Sequence, residues 1–116
     1  MKKTDKIGWL YSQLRRQNDV LEALRRTKDD AYRERNKVVS ALSKLFPAWL
    51  GKHESTDKTW HKEWMNIVFI KLPTGQVSWH LHDSDLAYFA HLEYKNEKWD
   101  GHTTEEKYER LLSLLP

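Results

Sequence analysis

The stretch Trp64–Leu81 reads WMNIVFIKLPTGQVSWHL and decides the fold. Its two ends, WMNIVFIKL and QVSWHL, are rich in the β-branched and aromatic residues that favour strands, and the P-T-G between them is typical of a tight turn. The stretch therefore predicts an antiparallel hairpin. Because side chains alternate along a strand, Val77, Trp79 and Leu81 would face the core and His80 the opposite side.

Two short helices are predicted after the hairpin. Asp83 or Ser84 would cap the first helix, whose apolar stripe runs to about Leu92. Thr103 and Glu106 have the spacing of a capping box, which predicts the start of a second amphipathic helix.

The region before the hairpin predicts one long helix over residues 5–46, ended by Pro47. Nine of its twelve heptad a and d positions are apolar, which is coiled-coil spacing and predicts a homo-oligomer. A helix hairpin within one chain remains the alternative. The segment 47–64 is predicted to be a hinge loop from which Trp49 and Leu50 dock against the head. The twelve seam positions are Ile7, Leu10, Leu14, Gln17, Leu21, Leu24, Lys28, Ala31, Arg35, Val38, Leu42 and Leu45.

The complete prediction is an α+β fold in one domain. It has a long N-terminal coiled-coil helix for oligomerisation, residues 5–46, and a compact Trp- and His-rich head, residues 47–116. The head contains a small antiparallel hairpin or sheet and two short C-terminal helices.

Composition narrows the function classes. The chain of 116 residues has no cysteine, which excludes disulfides and thiolate zinc sites and favours a reducing compartment, so we expect a cytoplasmic protein. Its apolar stretches are too short for a membrane span. The net charge of +3 comes from closely mixed signs, a solubility pattern that makes dedicated nucleic-acid binding a minor alternative.

The segment WHLHDSD offers a candidate metal site. On a strand, His80 and His82 share a face, Asp83 or Asp85 could add a carboxylate ligand, and His91 or His102 could be a fourth ligand. The order of residues after His82 departs from the H-x-H-x-D-H pattern of metallo-hydrolases. The alternative is that the histidines lie on an open face and Asp83 caps a helix, so we expect no metal and no cofactor.

The segment WDGHTTEEKYER offers a candidate phosphate site. The start of a helix is electropositive and its free N–H groups can receive an anion, unless the cap itself satisfies them. Lys28 and Arg35, one heptad apart on the seam, could face a second enclosed anion or simply fix the register. The candidate ligand-binding residues are Trp79, His80, His82, Trp99, His102, Thr103, Lys107, Arg110, Lys28 and Arg35.

No catalytic signature stands out. The chain has no G-x-S-x-G elbow, no Walker loop and no dinucleotide fingerprint, so no triad is predicted and an enzyme is disfavoured.

The motifs LPTGQVSWHLHDSDL, FAHL and WDGHTTEEKYERL together resemble a widespread group of small bacteriophage-encoded proteins over roughly residues 34–114. The resemblance implies an accessory protein in the cytoplasm of an infected bacterium. The nearest functional class is the viral sponge proteins, such as the Thoeris anti-defence family, which sequester nucleotide immune signals without catalysis. No site residue carries over from that class.

The expected function is therefore a homo-oligomeric, non-catalytic binder of a small phosphorylated or nucleotide-like ligand. Trp79 and Trp99 would stack on it, the histidines would hydrogen-bond, and Lys107 and Arg110 would meet phosphate. The alternatives are an inhibitor or adaptor that binds a host protein and, less favoured, a metal-dependent hydrolase.

Overall fold

Among the residues that the structure describes, three antiparallel strands form the sheet, in the order β1-β2-β3. The computed structural model describes residues 3–23, 28–53, 64–96 and 99–115. Strand β1 is Ala48–Lys52, β2 is Asn66–Leu72 and β3 is Gly75–Leu81. The predicted hairpin is confirmed, because β2 pairs with β3 in a register that places Val68 opposite Trp79.

Strand β1 lies where the sequence predicted a hinge loop. Trp49 and Leu50 do dock against the head as expected, but as part of a strand paired with β2. The glycine that suggested a loop has a packing role, since a Cβ atom at Gly51 would lie 2.7 Å from the ring of Phe69. Residues 54–63 of the predicted hinge lie outside the described residues.

The predicted single helix over residues 5–46 is wrong. Two helices, α1 at Lys3–Ala23 and α2 at Lys28–Ser43, pack against each other. Leu14 and Val39 share one core cluster, whereas on one straight helix these residues would lie about 37 Å apart. Of the described apolar seam residues, Ile7, Leu10, Leu14, Ala31 and Leu42 are buried, and Val38 and Leu45 are partly buried against the same core. The seam is therefore used within one chain, and self-association stays a prediction.

The two faces of the sheet have different partners. The inner face packs on the helices, because Val68, Ile70, Val77, Trp79 and Leu81 join the same buried cluster as the helical leucines. The outer face carries a smaller apolar cluster of Trp49, Ile67 and Phe69. Since strand partners share a face, Ser78, opposite Phe69, and His80, opposite Ile67, also lie on the outer face.

The first C-terminal helix is a 3₁₀ helix, Asp83–Phe89, and its N-cap is His82, not the predicted Asp83 or Ser84. The ring of His82 accepts a hydrogen bond from the N–H of Ser84, whereas Asp83 accepts one from the side chain of Asn66. Asp85 and Phe89 of this helix are buried. The final helix, α3 at Thr104–Leu112, has the predicted capping box between Thr103 and Glu106.

None of the described helices combines the length and the apolar content that crossing a bilayer requires.

Candidate functional site

Two adjoining cavities open along β3, and Ser78, His80 and Lys107 line both. The larger, here called the outer cavity, has a volume of about 740 Å³ and lies on the outer face of the sheet. The smaller, the edge cavity, has a volume of about 320 Å³ and lies beside α2. The outer cavity is lined by Lys52, His53, Ile67, Phe69, Ser78, His80, Trp99, Gly101, His102, Thr103, Thr104 and Lys107. The edge cavity is lined by Tyr32, Arg35, Trp64, Ser78, Trp79, His80 and Lys107.

The walls of both cavities are basic. Neither cavity has a carboxylate among the described residues that line it. Burial, followed by the nearby Arg35 guanidinium, lowers the pKa of Lys107 to about 7. This ammonium group therefore has less access to water than a surface lysine, and no anion on the described walls compensates for that loss.

Arg35 is held in place at the edge of β3. It donates a hydrogen bond of 2.8 Å to the carbonyl oxygen of His80 and another of 3.0 Å to the side chain of Asn36. Its guanidinium carbon also lies 4.8 Å from the centre of the Tyr32 ring. Burial lowers the pKa of Arg35 to about 10, which still leaves it charged at neutral pH. The edge cavity thus contains a fixed positive charge.

His80 stands where the two cavities meet. Its Nε2 atom lies 3.2 Å from Nδ1 of His53, so the two imidazoles share one hydrogen bond. Burial, and then the neighbouring His53, Lys107 and Arg35, lower the pKa of His80 to about 4. His80 is therefore neutral at physiological pH and can act as a hydrogen-bonding group without adding charge.

The loop Trp99–His102 forms the rim of the outer cavity. Asp100 accepts hydrogen bonds from the backbone N–H of His102 at 3.1 Å and from its ring Nδ1 at 2.7 Å. Gly101 sits between them at φ +79°, a left-handed conformation that favours glycine. The loop thereby turns His102 inward, where it is buried, and leaves Trp99 outside.

Aromatic side chains flank the basic groups. Trp99 is 55% exposed, and its ring centre lies 5.5 Å from that of His102. Trp79 is buried in the core, and the Lys107 ammonium sits 4.7 Å from the centre of its ring. Tyr32 and Trp64 meet edge to face at 4.9 Å beside the edge cavity. A flat ligand thus has an exposed indole at the rim of the outer cavity.

Most of the predicted ligand-binding residues do meet at these cavities. His80, Trp99, His102, Thr103 and Lys107 line the outer cavity. Trp79 and Arg35 join His80 and Lys107 around the edge cavity.

Two predicted residues, His82 and Arg110, lie elsewhere, and a third cannot be placed. His82 hydrogen-bonds to Ser84 at 2.7 Å and caps the 3₁₀ helix. Arg110 pairs with Asp100 at 2.7 Å and reaches the carbonyl of Gln76, so its guanidinium is engaged in holding the loop. The side chain of Lys28 lies outside the described residues.

The sequence predicts a phosphate site at the start of α3, but the capping box already occupies two of the backbone N–H groups there. Thr103 Oγ1 accepts from the N–H of Glu106, and Glu106 accepts from the N–H of Thr103. The candidate metal site is likewise not assembled, since no group of three or more possible ligands occurs among the described residues.

The sequence did not single out Tyr32, His53 and Ser78. Tyr32 lies in the region that the heptad pattern predicts to be a coiled coil, and His53 lies in the segment that the sequence predicts to be a loop. Ser78 had a usable signal, because it alternates with Val77 and Trp79 and so had to share a face with His80.

Comparison with known proteins supplies a family. A family model described as the WDGH domain matches residues 19–114, and its four letters are those of Trp99 to His102. No curated protein and no solved structure matches the chain.

Proposed function

The chain belongs to the WDGH domain family, and from that premise we propose that it binds a small phosphorylated or nucleotide-like ligand in the two cavities along β3. The observation that carries the proposal is Lys107, whose partly buried side chain lines both cavities, with no carboxylate on their described walls. A phosphate group would supply the missing negative charge.

The energetics favour an anionic ligand. A hydrogen bond that involves a charged group contributes roughly 1.5–3 kcal/mol, and its strength increases away from bulk water. Bound phosphate would also raise the pKa of Lys107 from about 7, so that binding takes up a proton near neutral pH. Proton uptake on binding is therefore a specific consequence of this proposal.

Trp99 gives the proposal its second component. Stacking of a base on an aromatic side chain contributes roughly 1–3 kcal/mol. Because Trp99 is more than half exposed at the rim, it can receive a flat ring while the phosphate lies deeper, near Lys107. The volume of the outer cavity, about 740 Å³, falls within the range of roughly 300–1,000 Å³ usual for small-ligand sites.

Sequestration of a nucleotide signal in a bacteriophage-infected cell is the specific biological form of this proposal. It is supported by the resemblance of the sequence motifs to phage proteins. Sequestration requires tight binding and no catalysis. The cavities therefore need only a suitable charge, a suitable shape and an aromatic side chain at the rim.

Calorimetric titration with AMP tests the proposal. AMP should bind at least about tenfold more tightly than adenosine, since the phosphate contact is worth about 1.4 kcal/mol or more. Repeating the titration in buffers of different ionisation enthalpy should reveal proton uptake. Lys107→Met should lose both effects, whereas Lys44→Met, an exposed lysine after α2, should keep them.

Native mass spectrometry of the purified protein complements the titration, because it measures the mass of any retained small molecule and the number of subunits.

Equal affinity for AMP and adenosine, or unchanged AMP binding by Lys107→Met, would overturn the proposal. If neither AMP nor pyrophosphate binds at millimolar concentration and no adduct is retained, recognition of a host protein becomes the better hypothesis.

A further inference from the structure

Three side chains form a line of hydrogen bonds at the wall of the outer cavity. Ser78 Oγ on β3 lies 3.3 Å from Nε2 of His102, and Nδ1 of His102 lies 2.7 Å from a carboxylate oxygen of Asp100. Ser78 and His102 both line the cavity. The hydroxyl, the imidazole and the carboxylate therefore follow one another in the order that nucleophilic catalysis requires.

The surroundings of His102 fix its tautomer. The ring nitrogen that faces the Asp100 carboxylate, Nδ1, carries the proton, because a carboxylate can only accept. Nε2 then presents its lone pair to Ser78, whose hydroxyl donates. This is the arrangement in which an imidazole can remove a proton from a serine hydroxyl.

Asp100 is itself held on several sides. Its second oxygen accepts a 2.7 Å hydrogen bond from Arg110, and its first oxygen also accepts from the backbone N–H of His102. These bonds lower the pKa of Asp100 in spite of the opposing effect of its partial burial. The carboxylate is therefore ionised and oriented at neutral pH.

We propose that Ser78, His102 and Asp100 form a catalytic triad that hydrolyses a carboxylic ester or thioester bearing an anionic group. Ser78 is the nucleophile and His102 the general base, while Asp100 is a positioning residue that acts through His102. The anionic group is inferred from Lys107, which lines the same cavity.

The reaction has two balanced stages. Ser78 Oγ bonds to the carbonyl carbon while its proton moves to Nε2 of His102. The bond to the alcohol or thiol breaks, and the leaving group takes that proton from His102. Water then attacks the acyl-serine with His102 again as base, which releases the carboxylic acid and restores Ser78 without any change of oxidation state.

This inference adds an activity to the proposed binding and can fail separately from it. A fluorophosphonate probe needs only an activated serine and an accessible cavity. Serine Oγ bonds to its phosphorus, fluoride leaves, and the hydroxyl proton is released, so the mass of the protein increases by the mass of the probe less HF.

The test is labelling of the purified full chain with the fluorophosphonate, followed by intact mass measurement and peptide mapping. One adduct is expected, on Ser78. Ser78→Ala should remain unlabelled, while Ser113→Ala, which changes an exposed serine at the end of α3, should label like the unaltered chain. Asp100→Asn should label at least roughly 100-fold more slowly, because the imidazole loses the carboxylate that orients it.

The dependence of labelling on pH separates catalysis from a merely structural bond. Burial lowers the pKa of His102, although Asp100 opposes this effect, so the labelling rate should rise with a midpoint below pH 6.5 and then level off. An unactivated serine would instead react faster as hydroxide increases. The charged or titratable groups around His102 are Asp100 on its own loop, Lys107 and Arg110 on α3, and, across the cavity, His80, His53 and Lys52.

Two results would overturn the triad. One is the absence of an adduct on Ser78 in folded protein after prolonged exposure to the probe. The other is labelling whose rate is the same in Asp100→Asn and keeps rising above neutral pH. Circular dichroism of each variant shows whether it is folded, and p-nitrophenyl acetate hydrolysis with an initial burst would give independent support.

Discussion

The side-chain amide of Asn36 donates a 2.7 Å hydrogen bond to Oδ2 of Asp85, joining α2 to the 3₁₀ helix in the interior of the protein. Both residues are almost fully buried. Arg33 approaches the other carboxylate oxygen of Asp85 at 3.7 Å, so within the described part of the chain Asn36 is the closest side-chain partner of this buried acid. The pair positions the end of α2 that carries Tyr32 and Arg35 at the edge cavity.

Replacement of Asn36 by alanine should destabilise the fold. Removal of the amide leaves the Asp85 carboxylate buried without its close donor, a change that costs about 2–3 kcal/mol. Urea denaturation followed by tryptophan fluorescence measures this loss. Lys37→Ala is the matched control, because Lys37 is the next residue on α2 but is exposed and should leave the free energy of unfolding nearly unchanged. Equal stability of the two variants would show that the buried pair contributes little.

A second prediction concerns the helix hairpin. Leu14 is completely buried between α1 and the rest of the core, so Leu14→Ala should lower the free energy of unfolding by about 2–5 kcal/mol. The loss should be the same at every protein concentration, because the seam is satisfied within one chain. Thermal denaturation at several concentrations checks this, with the exposed Arg16→Ala as control. A loss that changes with protein concentration would indicate instead that Leu14 lies in a seam shared between chains.

The features that the sequence predicted correctly are local ones. The hairpin at Trp64–Leu81 and the capping box of Thr103 and Glu106 depend on residues close together in the chain. The pattern of Leu10, Leu14 and Leu42 is different, because a heptad seam is equally compatible with a partner chain and with a second helix of the same chain. Only the segment 24–27 between the two helices could separate these possibilities, and its sequence contains neither proline nor glycine.

The candidate site was predictable only in part, for the same reason. The motif Trp99–His102 was singled out as a segment, but the interaction of His102 with Ser78 joins residues 24 positions apart. No short motif marks Ser78 as a nucleophile. Its partner becomes visible only when the loop folds over the outer face of the sheet and places the imidazole above β3.

Stability should depend on pH through His80. Its pKa in the folded protein is about 4, below the usual 6.5, so the unfolded chain binds more protons between these values. Acidification from pH 6.5 to about 4 should therefore reduce the free energy of unfolding by roughly 1–3 kcal/mol through this group. The groups that face it are His53, Lys107 and Arg35. Comparison of His80→Gln with the unaltered chain across this pH range isolates the effect, and parallel stability curves would contradict it.

The glycines give the last prediction, because two of them should respond in opposite directions to the same substitution. Gly51→Ala places a methyl group 2.7 Å from the Phe69 ring on the outer face, and such overpacking costs about 1–3 kcal/mol. Gly8→Ala, within α1, meets only Leu115 at an ordinary 3.6 Å and should stabilise the protein by about 0.5–1 kcal/mol through helix propensity. Thermal denaturation of both variants measures the contrast.

Because Phe69 also lines the outer cavity, Gly51→Ala should weaken AMP binding as well, whereas Gly8→Ala should leave it unchanged. A stable Gly51→Ala variant with unaltered binding would mean that Phe69 moves aside freely and that this wall of the cavity is not rigid.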